Sequence, residues 1–532
     1  MGERAIALQA SEKDNVATIF AEGIVDGMQV SVLNASGNQT TIAVIGDVPY
    51  GHKIALRAIA KGEQILKYGE EIGVATHDIE RGEYVHVHNL DSMRGRGDLE
   101  QSDGAAGAAA VRQGELAIAR PDSEACEEGS SRCDDAPRPA SRGQRISFWG
   151  YERPDGRYGA RNLVAIIPSV TCANDVAQAI ARQVQGTVAY LHHQGCCQLP
   201  PDLERVTDTL ISLGKGPNVG AVLIVSLGCE GTDHARMYEE LGATGKPVEI
   251  IHIQELGGVT NAIREGTDIA RRLVLGISGQ HRVETDISNV VMAIKCGASD
   301  TTSGIASNCV IGVVSDRLVD MGATVVFGET TEFIGGEHLL ARRAVNRRVG
   351  QRIYDIVDEM EARAKSIGCD MRRGQPTPGN IAGGLSSIEE KSLGAIAKSG
   401  SRPIQGVLDY PEFVTNQKGL WIKDTPGREP EILTGMAATG AQFMCFSTGL
   451  GAPQGFPSMP VIKICGNPHT YQRMREDMDV NAGLVVTGEK SIEEVADEVF
   501  AKIIRVLNGE MTKNEAIGYF SAIDIHCLGP VI

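Results

Sequence analysis

Two patterns of apolar residues divide the chain. Up to about residue 93, short β-branched runs at residues 30–33, 40–44 and 85–88 alternate with turn signals such as DG, SGN and GD. Helical periodicity is faint in this part. The pattern therefore predicts a small β-rich domain over residues 1–93.

The second pattern begins near residue 146 and is typical of an α/β protein. Short apolar runs rich in β-branched residues occur at residues 163–167, 187–191, 219–227, 248–253, 290–294 and 323–327. Helix-like stretches at residues 175–185, 203–213 and 259–275 separate several of these runs. Buried parallel strands that alternate with helices produce such a sequence. Two further runs, at residues 442–446 and 461–464, extend the pattern towards the C-terminus.

The predicted fold class is therefore α/β. A body of mainly parallel sheets follows the N-terminal domain, in two subdomains over residues 146–400 and 401–532. Residues 94–145 are rich in Gly, Ala, Ser, Asp and Arg and contain almost no large apolar side chains. Such a segment cannot bury enough surface to offset its ordering entropy, so it is predicted to be a flexible linker. Cys126 and Cys133 within it are interpreted as incidental thiols.

Composition narrows the class of protein. The formal net charge is −17 and no basic stripe offsets it, so a nucleic-acid partner is not expected. No segment approaches the roughly 20 apolar residues that a membrane span needs. The 12 cysteines lack the dense spacing of a secreted scaffold, and the N-terminal residues contain no apolar run of signal-peptide length. We therefore expect a cytoplasmic protein with reduced thiols.

Reactive or ligating side chains follow five of the apolar runs. They are Cys172; His192, His193, Cys196, Cys197 and Gln198; Cys229 and Glu230; Lys295, Cys296, Ser299 and Asp300; and Glu329, Glu332, Glu337 and His338. Because open parallel sheets bind ligands beyond the carboxyl ends of their strands, these residues are expected to share one crevice. For any single cysteine among them, a small buried hydrophobic side chain is an equally good interpretation.

Carboxylates, imidazoles and thiols at one crevice suit a transition metal. His86 and His88 occupy alternate positions of a strand-like segment and would share a face, so both could bind one metal. Two exposed imidazoles at a strand edge are the alternative. No C-x-x-C pair predicts a structural zinc site. A lesser alternative is an iron–sulfur cluster held by three of the cysteines Cys172, Cys196, Cys229 and Cys296.

A series of motifs occurs along the chain in the order typical of a known family. The segments VPYGHKIAL, KYGEEIG and GEYVHVHN lie ahead of YERPDGRYGARN. The motifs SVTC, HHQGCCQ, SLGCE, KCGASD, SGIASN, GETTE, TPGN, GGLSSIEEKSLGAIAKSG, FSTGLGAPQG and DVNAG then follow in turn. Over nearly the whole chain outside residues 94–145, these motifs resemble the altronate/galactarate dehydratase family, which includes the sulfolactate sulfo-lyases. The N-terminal segments resemble its SAF-type (β-clip) domain.

The resemblance implies a metal-dependent hydro-lyase. It would dehydrate a hydroxylated sugar acid, altronate-like or shorter, to a 2-keto-3-deoxy acid. The implied cofactor is a divalent metal, Fe²⁺ before Mn²⁺ or Mg²⁺, which would stabilise the enediolate formed when a base removes the proton beside the substrate carboxylate. The expected binding partner is thus a small hydroxy acid, and a homo-oligomer is the family expectation.

On this hypothesis the candidate residues take three roles. The catalytic candidates are Lys295, Cys296, Ser299, Asp300, Glu329 and Glu332, among which Glu329, Glu332 and Asp300 compete as base or ligand. The substrate-binding candidates are His192, Cys196, Gln198, Cys229, Glu230, Thr448, Gly449, Gly451 and Lys463. The metal candidates are His86 and His88, with His52 or Glu329 as further ligands.

Three departures from the family pattern bear on the substrate. Ala298 stands where a second Gly is usual, Cys309 where a Pro is usual, and Leu450 where Thr-Gly-Arg-Gly has its Arg. Because Arg is the residue for bidentate anion capture, Leu450 predicts a shorter or less polar substrate. Two alternatives stay open. One is a lyase that eliminates sulfite, or water from a non-sugar hydroxy acid; the other is a ligand-binding homologue without turnover.

Overall fold

The computed structural model describes residues 7–94, 146–372, 374–520 and 523–532. All but the first residue of the predicted linker, including Cys126 and Cys133, lies outside this described part. The described part comprises a β-rich N-terminal domain and an α/β body with parallel sheets, which confirms the predicted fold class. None of its helices is long and apolar enough to cross a membrane.

The N-terminal domain is built from short strands joined by tight turns. They are β1 Ala7–Leu8, β2 Val16–Ile19, β3 Gln29–Leu33, β4 Gln39–Ala43, β5 Lys53–Ala55, β6 Gln64–Lys67, β7 Glu70–Ala75, β8 Tyr84–Val85 and β9 Leu90–Asp91. One sheet has the strand order β4-β3-β1-β2-β5-β8, and a second has the order β6-β7-β9. Burial alternates along β3, as expected of a strand with one face towards the core.

The body contains the remaining strands. They are β10 Ser147–Glu152, β11 Tyr158–Gly159, β12 Leu163–Pro168, β13 Thr187–Ala189, β14 Val219–Ser226, β15 Val248–His252, β16 Arg282–Asp286, β17 Val291–Cys296, β18 Thr324–Phe327, β19 Ile404–Leu408, β20 Gly419–Lys423, β21 Phe443–Thr448, β22 Val461–Cys465 and β23 Val480–Asn481. A four-stranded parallel sheet has the order β13-β12-β14-β15. An antiparallel sheet, β11-β10-β16, precedes and follows it along the chain.

The largest sheet is parallel throughout and seven-stranded, in the order β19-β20-β18-β17-β21-β22-β23. Its inner strands β18 and β21 are buried along their whole length, as both faces are covered. β17 pairs with β18 on one side and with β21 on the other. This sheet takes strands from both sides of residue 400, so the suggested subdomain boundary at that residue does not separate two sheets.

Helices cover the sheets. They are α1 Asn174–Gln183, α2 Pro200–Lys215, α3 His234–Gly242, α4 Val259–Ser278, α5 Asn308–Asp320, α6 Glu337–Arg342, α7 Arg347–Ser366, α8 Pro378–Ala382, α9 Ile388–Ile396, α10 Glu429–Ala437, α11 Pro468–Arg473, α12 Gly483–Val486, α13 Ile492–Leu507 and α14 Lys513–Ile517. A π-helical turn, Ser303–Ser307, leads into α5. Such turns are frequent at functional sites.

The N-terminal domain docks on α9 through a buried group of charges. Glu390 accepts hydrogen bonds from Lys53 Nζ at 2.8 Å and Lys67 Nζ at 2.7 Å, and all three side chains are buried. Ser387 caps α9 by accepting from the Glu390 amide, while its hydroxyl donates to the Ile72 carbonyl at 2.5 Å. One apolar core runs from this domain into the seven-stranded sheet. The N-terminal domain is therefore held against the face where α9 lies.

Candidate active site

The candidate active site lies at the C-terminal edge of the seven-stranded sheet. β17 ends at Cys296, β18 at Phe327 and β21 at Thr448. Because these strands are parallel, the residues that follow them meet at one edge. All six predicted catalytic residues lie at this edge, and all six are buried. They are Lys295, Cys296, Ser299, Asp300, Glu329 and Glu332.

Glu329 is fixed by polar contacts in a rare backbone conformation. Its φ angle is 72°, in the left-handed region that few non-glycine residues adopt. Its carboxylate accepts from the Cys296 amide at 2.8 Å and from Lys398 Nζ at 2.7 Å, and Lys295 Nζ lies 3.4 Å away. Burial acts to raise its pKa, but Lys398 and Lys295 outweigh burial and lower the pKa to about 2. Glu329 is therefore suited to be a fixed anion rather than a base.

Lys398 joins Glu329 to Glu332. Its Nζ donates to Glu332 Oε2 at 2.5 Å, and Lys391 Nζ lies 3.7 Å from the other oxygen of that carboxylate. Burial, and then the neighbouring Glu329, raise the pKa of Glu332. The two carboxylates thus share one buried cation and have opposite pKa shifts.

Asp300 is a buried carboxylate held by neutral donors. Thr302 Oγ1 and the Ser303 amide donate to Oδ1 at 2.5 and 3.1 Å, and Asn467 Nδ2 donates to Oδ2 at 2.9 Å. Burial is the largest influence on its pKa and raises it above the ordinary value, because these neutral donors only partly offset desolvation. Cys296 Sγ lies 3.0 Å from Ser299 Oγ beside it. Asp300 is therefore the carboxylate of this group best suited to accept a proton.

The loop of Thr448, Gly449, Leu450 and Gly451 packs directly on Asp300. A Cβ added to Gly449 would stand 2.0 Å from Asp300 Oδ1, so only glycine fits there. The amides of Gly449 and Leu450 donate to the Ala298 carbonyl at 3.2 and 2.8 Å, and the Gly451 amide donates to Thr448 Oγ1 at 3.1 Å. These amides are thus engaged within the fold rather than directed at an anion. Ala298 has a φ of 49°, the left-handed conformation that suits the glycine usual at this position.

Lys463 is hydrogen-bonded to the residues that follow the same loop. Its Nζ donates to the carbonyls of Ala452 (2.9 Å) and Gln454 and lies 3.9 Å from the centroid of the Phe446 ring. Burial lowers its pKa well below the ordinary value. Lys295 Nζ lies 4.5 Å from the same ring centroid. Lys463, a predicted substrate-binding residue, therefore has its ammonium engaged by the backbone of this loop.

The other strand-end residues form a separate group at the four-stranded sheet. His192 Nε2 bonds to the Pro168 carbonyl at 2.7 Å, and Glu230 accepts from Ser169 Oγ at 2.5 Å. Gln198 Nε2 donates to Cys527 Sγ at 3.2 Å, whereas Cys196 and Cys229 are exposed. Among the described residues, no hydrogen bond or ion pair joins this group to the Asp300 group. The five runs thus belong to two different sheets, and the contacts in the described residues do not join their ends into one site.

The same division bears on an iron–sulfur cluster. Cys172, Cys196 and Cys229 are exposed free thiols at the four-stranded sheet, whereas Cys296 is buried at the seven-stranded sheet. In the described parts of the chain, no group of three or more His, Cys, Asp or Glu side chains is placed to hold a metal ion.

The predicted metal residues lie where the N-terminal domain meets α8. His52 bonds through Nδ1 to Tyr84 Oη at 2.7 Å and through Nε2 to the Ala382 carbonyl at 3.1 Å. The His86 ring is 4.6 Å from the His52 ring, and its buried Nδ1 has no hydrogen-bond partner. Burial lowers the pKa of His86 to about 3, so the ring is neutral and could ligate a metal.

These histidines do not fit a three-ligand metal site as they are placed. His86 and His88 lie in a turn after β8, not on a strand, because Asn89 Oδ1 accepts from the His86 amide at 2.9 Å. His88 is exposed and packs near Tyr84, and both nitrogens of His52 are engaged. Glu329 is bound by two lysines. Of the four candidates, His52 and Glu329 are thus engaged elsewhere, and the two that remain, His86 and His88, are fewer than three ligands.

Tyr68 of the N-terminal domain reaches the catalytic edge and was not among the residues predicted from the sequence. Its φ is 62°, its hydroxyl oxygen is buried and makes no hydrogen bond among the described residues, and Lys67 Nζ lies 4.9 Å from its ring centroid. Gly304 and Gly394 make room for the hydroxyl, since a Cβ on Gly304 would be 2.7 Å from it. Burial raises the pKa of Tyr68 to about 12 against the opposing effect of Lys67.

Several of these groups line one small cavity. It is lined by residues from both domains, among them Tyr68, Cys296, Ser299, Asp300, Asn308 and Lys391. Asn308 donates to the Gly394 carbonyl at 2.9 Å, while its Oδ1 is buried without a hydrogen-bond partner. A neutral phenol, a carboxylate with a raised pKa and a lysine thus face one space. This arrangement can move a proton to and from a small polar molecule.

Comparison with known proteins agrees with this layout. The altronate/galactarate dehydratase SAF domain matches residues 5–93, which confirms the predicted SAF-like domain. The second domain of D-galactarate dehydratase/altronate hydrolase matches residues 150–278, and the C-terminal domain of D-galactarate/altronate dehydratase matches residues 287–527. The last two ranges separate the four-stranded sheet from the seven-stranded sheet.

Individual relatives cover most of the chain. Altronate dehydratase of Bacillus subtilis is 33% identical over 486 residues, which are 89% of this chain and 90% of the relative. The (2R)-sulfolactate sulfo-lyase subunit beta of Chromohalobacter salexigens is 40% identical over 377 residues, 70% of this chain and 95% of the relative. The subunit alpha from the same organism is 34% identical over 82 residues, 15% of this chain and 87% of that subunit.

These relatives share lyase chemistry. The prediction of a carbon–oxygen lyase is confirmed at the level of the family. One polypeptide here contains regions similar to two subunits of the sulfo-lyase. The chain belongs to the altronate/galactarate dehydratase family.

Proposed function

We propose that the protein dehydrates a hydroxylated acid, an altronate-like sugar acid or a shorter one, to a 2-keto-3-deoxy acid. The observation that carries the proposal is that Asp300 and Tyr68 line one cavity. Burial raises the pKa of both groups, which makes the ionised Asp300 carboxylate a stronger base and keeps the Tyr68 phenol protonated. For a carboxyl that shift improves a base, and for a phenol it preserves a proton donor.

The reaction needs one group to hold the substrate and two to move protons. Lys391 is the cavity cation suited to the substrate carboxylate. Asp300 takes the proton from the carbon beside that carboxylate, and the electron pair moves to form a carbon–carbon double bond. Tyr68 gives its proton to the β-hydroxyl, which leaves as water. The resulting enol becomes the 2-keto-3-deoxy acid without an external oxidant or reductant.

Substrate entry requires movement. The cavity has space of about 10 Å³, which is roughly that of one water molecule. A hydroxy acid therefore needs the wall around Tyr68 and α9 to open. Opening and closing of this kind exclude water from many active sites.

The proposal includes a divalent metal because the resemblance to the family implies one. Fe²⁺ is expected before Mn²⁺ or Mg²⁺, and it would stabilise the enediolate. The metal content of anaerobically purified protein tests this separately from turnover. A protein that is active and free of divalent metal would remove the metal from the proposal.

The function is tested by incubating anaerobic, metal-supplied protein with aldonic, aldaric and short hydroxy acids. We expect a 2-keto acid from at least one member of the panel, and its chain length identifies the substrate class. Binding of a panel member without any product, in a folded and metal-loaded protein, would instead support a ligand-binding homologue.

Tyr68→Phe tests the proton donor. We expect kcat to fall by about 10²-fold, since general acid catalysis contributes about 10²–10⁴. KM should change little, because the ring and its packing stay. Tyr158→Phe is the matched control: that hydroxyl is 3.5 Å from Glu152 and remote from the cavity, so kcat should be unchanged. An unchanged kcat in the Tyr68 variant would contradict the assignment.

Elimination of sulfite is the second candidate function. Two observations favour it: Leu450 replaces the usual arginine, and one of the relatives is a sulfolactate sulfo-lyase subunit. The reaction would share removal of the proton beside the carboxylate, but a carbon–sulfur bond would break and sulfite would leave with the electron pair. Free sulfite in the same panel, with a sulfonated hydroxy acid as substrate, distinguishes it from dehydration.

Leu450→Arg tests why this chain lacks the usual arginine. Leu450 is 36% exposed beside Asp300, and a Cβ on Gly379 of α8 would lie 3.6 Å from its Cδ1. We expect the variant to lower KM for a substrate with a distal carboxylate by about 10-fold, since a hydrogen bond to a charged group contributes about 1.5–3 kcal/mol. KM for a short hydroxy acid should not fall. Leu450→Met is the control, and an equal change for both substrates would contradict a role in selection.

A further inference from the structure

A cleft of about 660 Å³ opens beside the candidate active site, at the ends of β19 and β20. Its walls are α2 and α7, and the C-terminal segment around His526 closes one end. Cavities of this volume commonly bind small metabolites. The reaction proposed above uses none of the side chains that line it.

Two guanidinium groups in this cleft have no carboxylate partner. Among the described residues, neither Arg205 nor Arg363 has an acidic oxygen within 4.0 Å; the ion pairs of the cleft belong to other arginines. Arg363 Nη1 lies 3.4 Å from His526 Nε2, and its Nε is buried without a hydrogen-bond partner. Arg205 lies over the Tyr410 ring, 5.9 Å from the centroid. In a chain with a formal net charge of −17, two such cations facing one cleft need an explanation.

His526 adds a third donor. Burial, followed by the charges of Arg363 and Arg205, lowers its pKa to about 4, so the ring is neutral. The contact of Nε2 with Arg363 Nη1 makes that nitrogen the acceptor, which leaves the proton on Nδ1. The ring packs edge-on against Tyr410, 5.7 Å between centroids, and this packing fixes its orientation.

Four of the five carboxylates that line the cleft have partners other than Arg205 and Arg363. Asp208 pairs with Arg236 at 2.6 Å, while Glu359 and Asp409 pair with Arg352 at 2.7 and 3.4 Å. Asp424 accepts from Thr330 Oγ1 at 2.6 Å. Glu204 at the rim is exposed. Most of the negative charge is thus matched by neighbours, whereas Arg205 and Arg363 are available to a ligand.

We propose that this cleft binds a small oxyanion, a phosphate or carboxylate group of a metabolite, through Arg205, Arg363 and His526. Planar guanidinium groups present paired N–H donors that suit such oxygens. The cleft also touches the catalytic edge, because Asp424 bonds to Thr330, the residue after Glu329. Asp424 thus links one wall of the cleft to the residue next to Glu329.

Titration calorimetry of the full chain tests the proposal, with inorganic phosphate in one arm and tricarballylate in the other. We expect at least one of them to bind. Arg363→Gln and Arg205→Gln should each raise its Kd by about 10-fold or more, which corresponds to the loss of a charged hydrogen bond. Arg363→Lys keeps the charge without the planar fork and should fall between wild type and Arg363→Gln. Thermal unfolding without ligand checks that each variant is folded.

The control is Arg317→Gln, which removes an arginine that pairs with Glu493 and Asp497 instead of facing the cleft. Its Kd should equal that of the wild type. Phosphate-only binding would identify the ligand group as a phosphate, and tricarballylate-only binding as a carboxylate; both support the site. If neither probe binds at millimolar concentration, or if binding survives in both the Arg205 and Arg363 variants, the proposal is wrong.

Discussion

Asp300→Asn is expected to lower kcat by about 10²–10⁴-fold, the range that general base catalysis contributes. The amide can no longer accept the substrate proton, although it has nearly the same shape as the carboxylate. Thr302 and Ser303 can still donate to its oxygen, so the local fold should persist. Initial rates and thermal unfolding of the purified variant measure the two effects separately.

The control is Asp316→Asn. Asp316 also accepts hydrogen bonds, from the Ser401 amide and hydroxyl at 2.7 and 2.6 Å, but it lies on α5 away from the cavity. Its kcat should equal that of the wild type. If both variants lose activity equally, the loss reflects folding and Asp300 is not the base.

The pH profile follows from the direction of the Asp300 shift. A base must be deprotonated, so activity is present above its pKa and falls as pH drops through it. Because burial raises the pKa of Asp300, the acid side of the kcat/KM profile should decline above the ordinary carboxyl value of 3.8. In the Asp300 variant this decline should disappear from the residual activity. A decline that is the same in both proteins belongs to another group.

The sequence allowed the catalytic edge to be predicted because its residues sit at strand ends. Cys296, Asp300 and Glu329 follow buried β-branched runs, and parallel strands place such residues together. The sequence could not say which strands share a sheet, since all the runs look alike. The expectation of one crevice for all these runs therefore did not separate His192 and Glu230, which follow strands of the four-stranded sheet, from Asp300.

The residues that were missed do not follow strands of the seven-stranded sheet. Lys398 belongs to a turn after α9, and Tyr68 comes from the other domain. Their contacts with the site depend on tertiary packing that no local pattern encodes. The turn at His86 does have a signal in the sequence, because Asn89 is a turn-forming residue, whereas the alternate positions of His86 and His88 predicted a strand. The left-handed φ values of Tyr68 and Glu329 also have no signature in the sequence.

The largest stability effect is expected for Lys398→Met. This lysine is the cation shared by Glu329 and Glu332, and all three side chains are at most 3% exposed. Methionine fills a similar volume but carries no charge. It leaves the two buried carboxylates without the cation that they share. Removing one partner of a buried ion pair costs about 3–5 kcal/mol, since the remaining charge is buried and uncompensated. The urea midpoint should fall accordingly.

Lys215→Met is the matched control for Lys398→Met. Its pair with Glu240 at 2.8 Å is partly exposed, and such pairs contribute only about 0–1 kcal/mol. The double variant Lys398→Met with Glu332→Gln should recover part of the lost stability, because Glu329 can still pair with Lys295 while the second unpaired charge is gone. A loss in the single variant no larger than that of Lys215→Met, or no recovery in the double variant, would contradict the view that Lys398 neutralises both buried carboxylates.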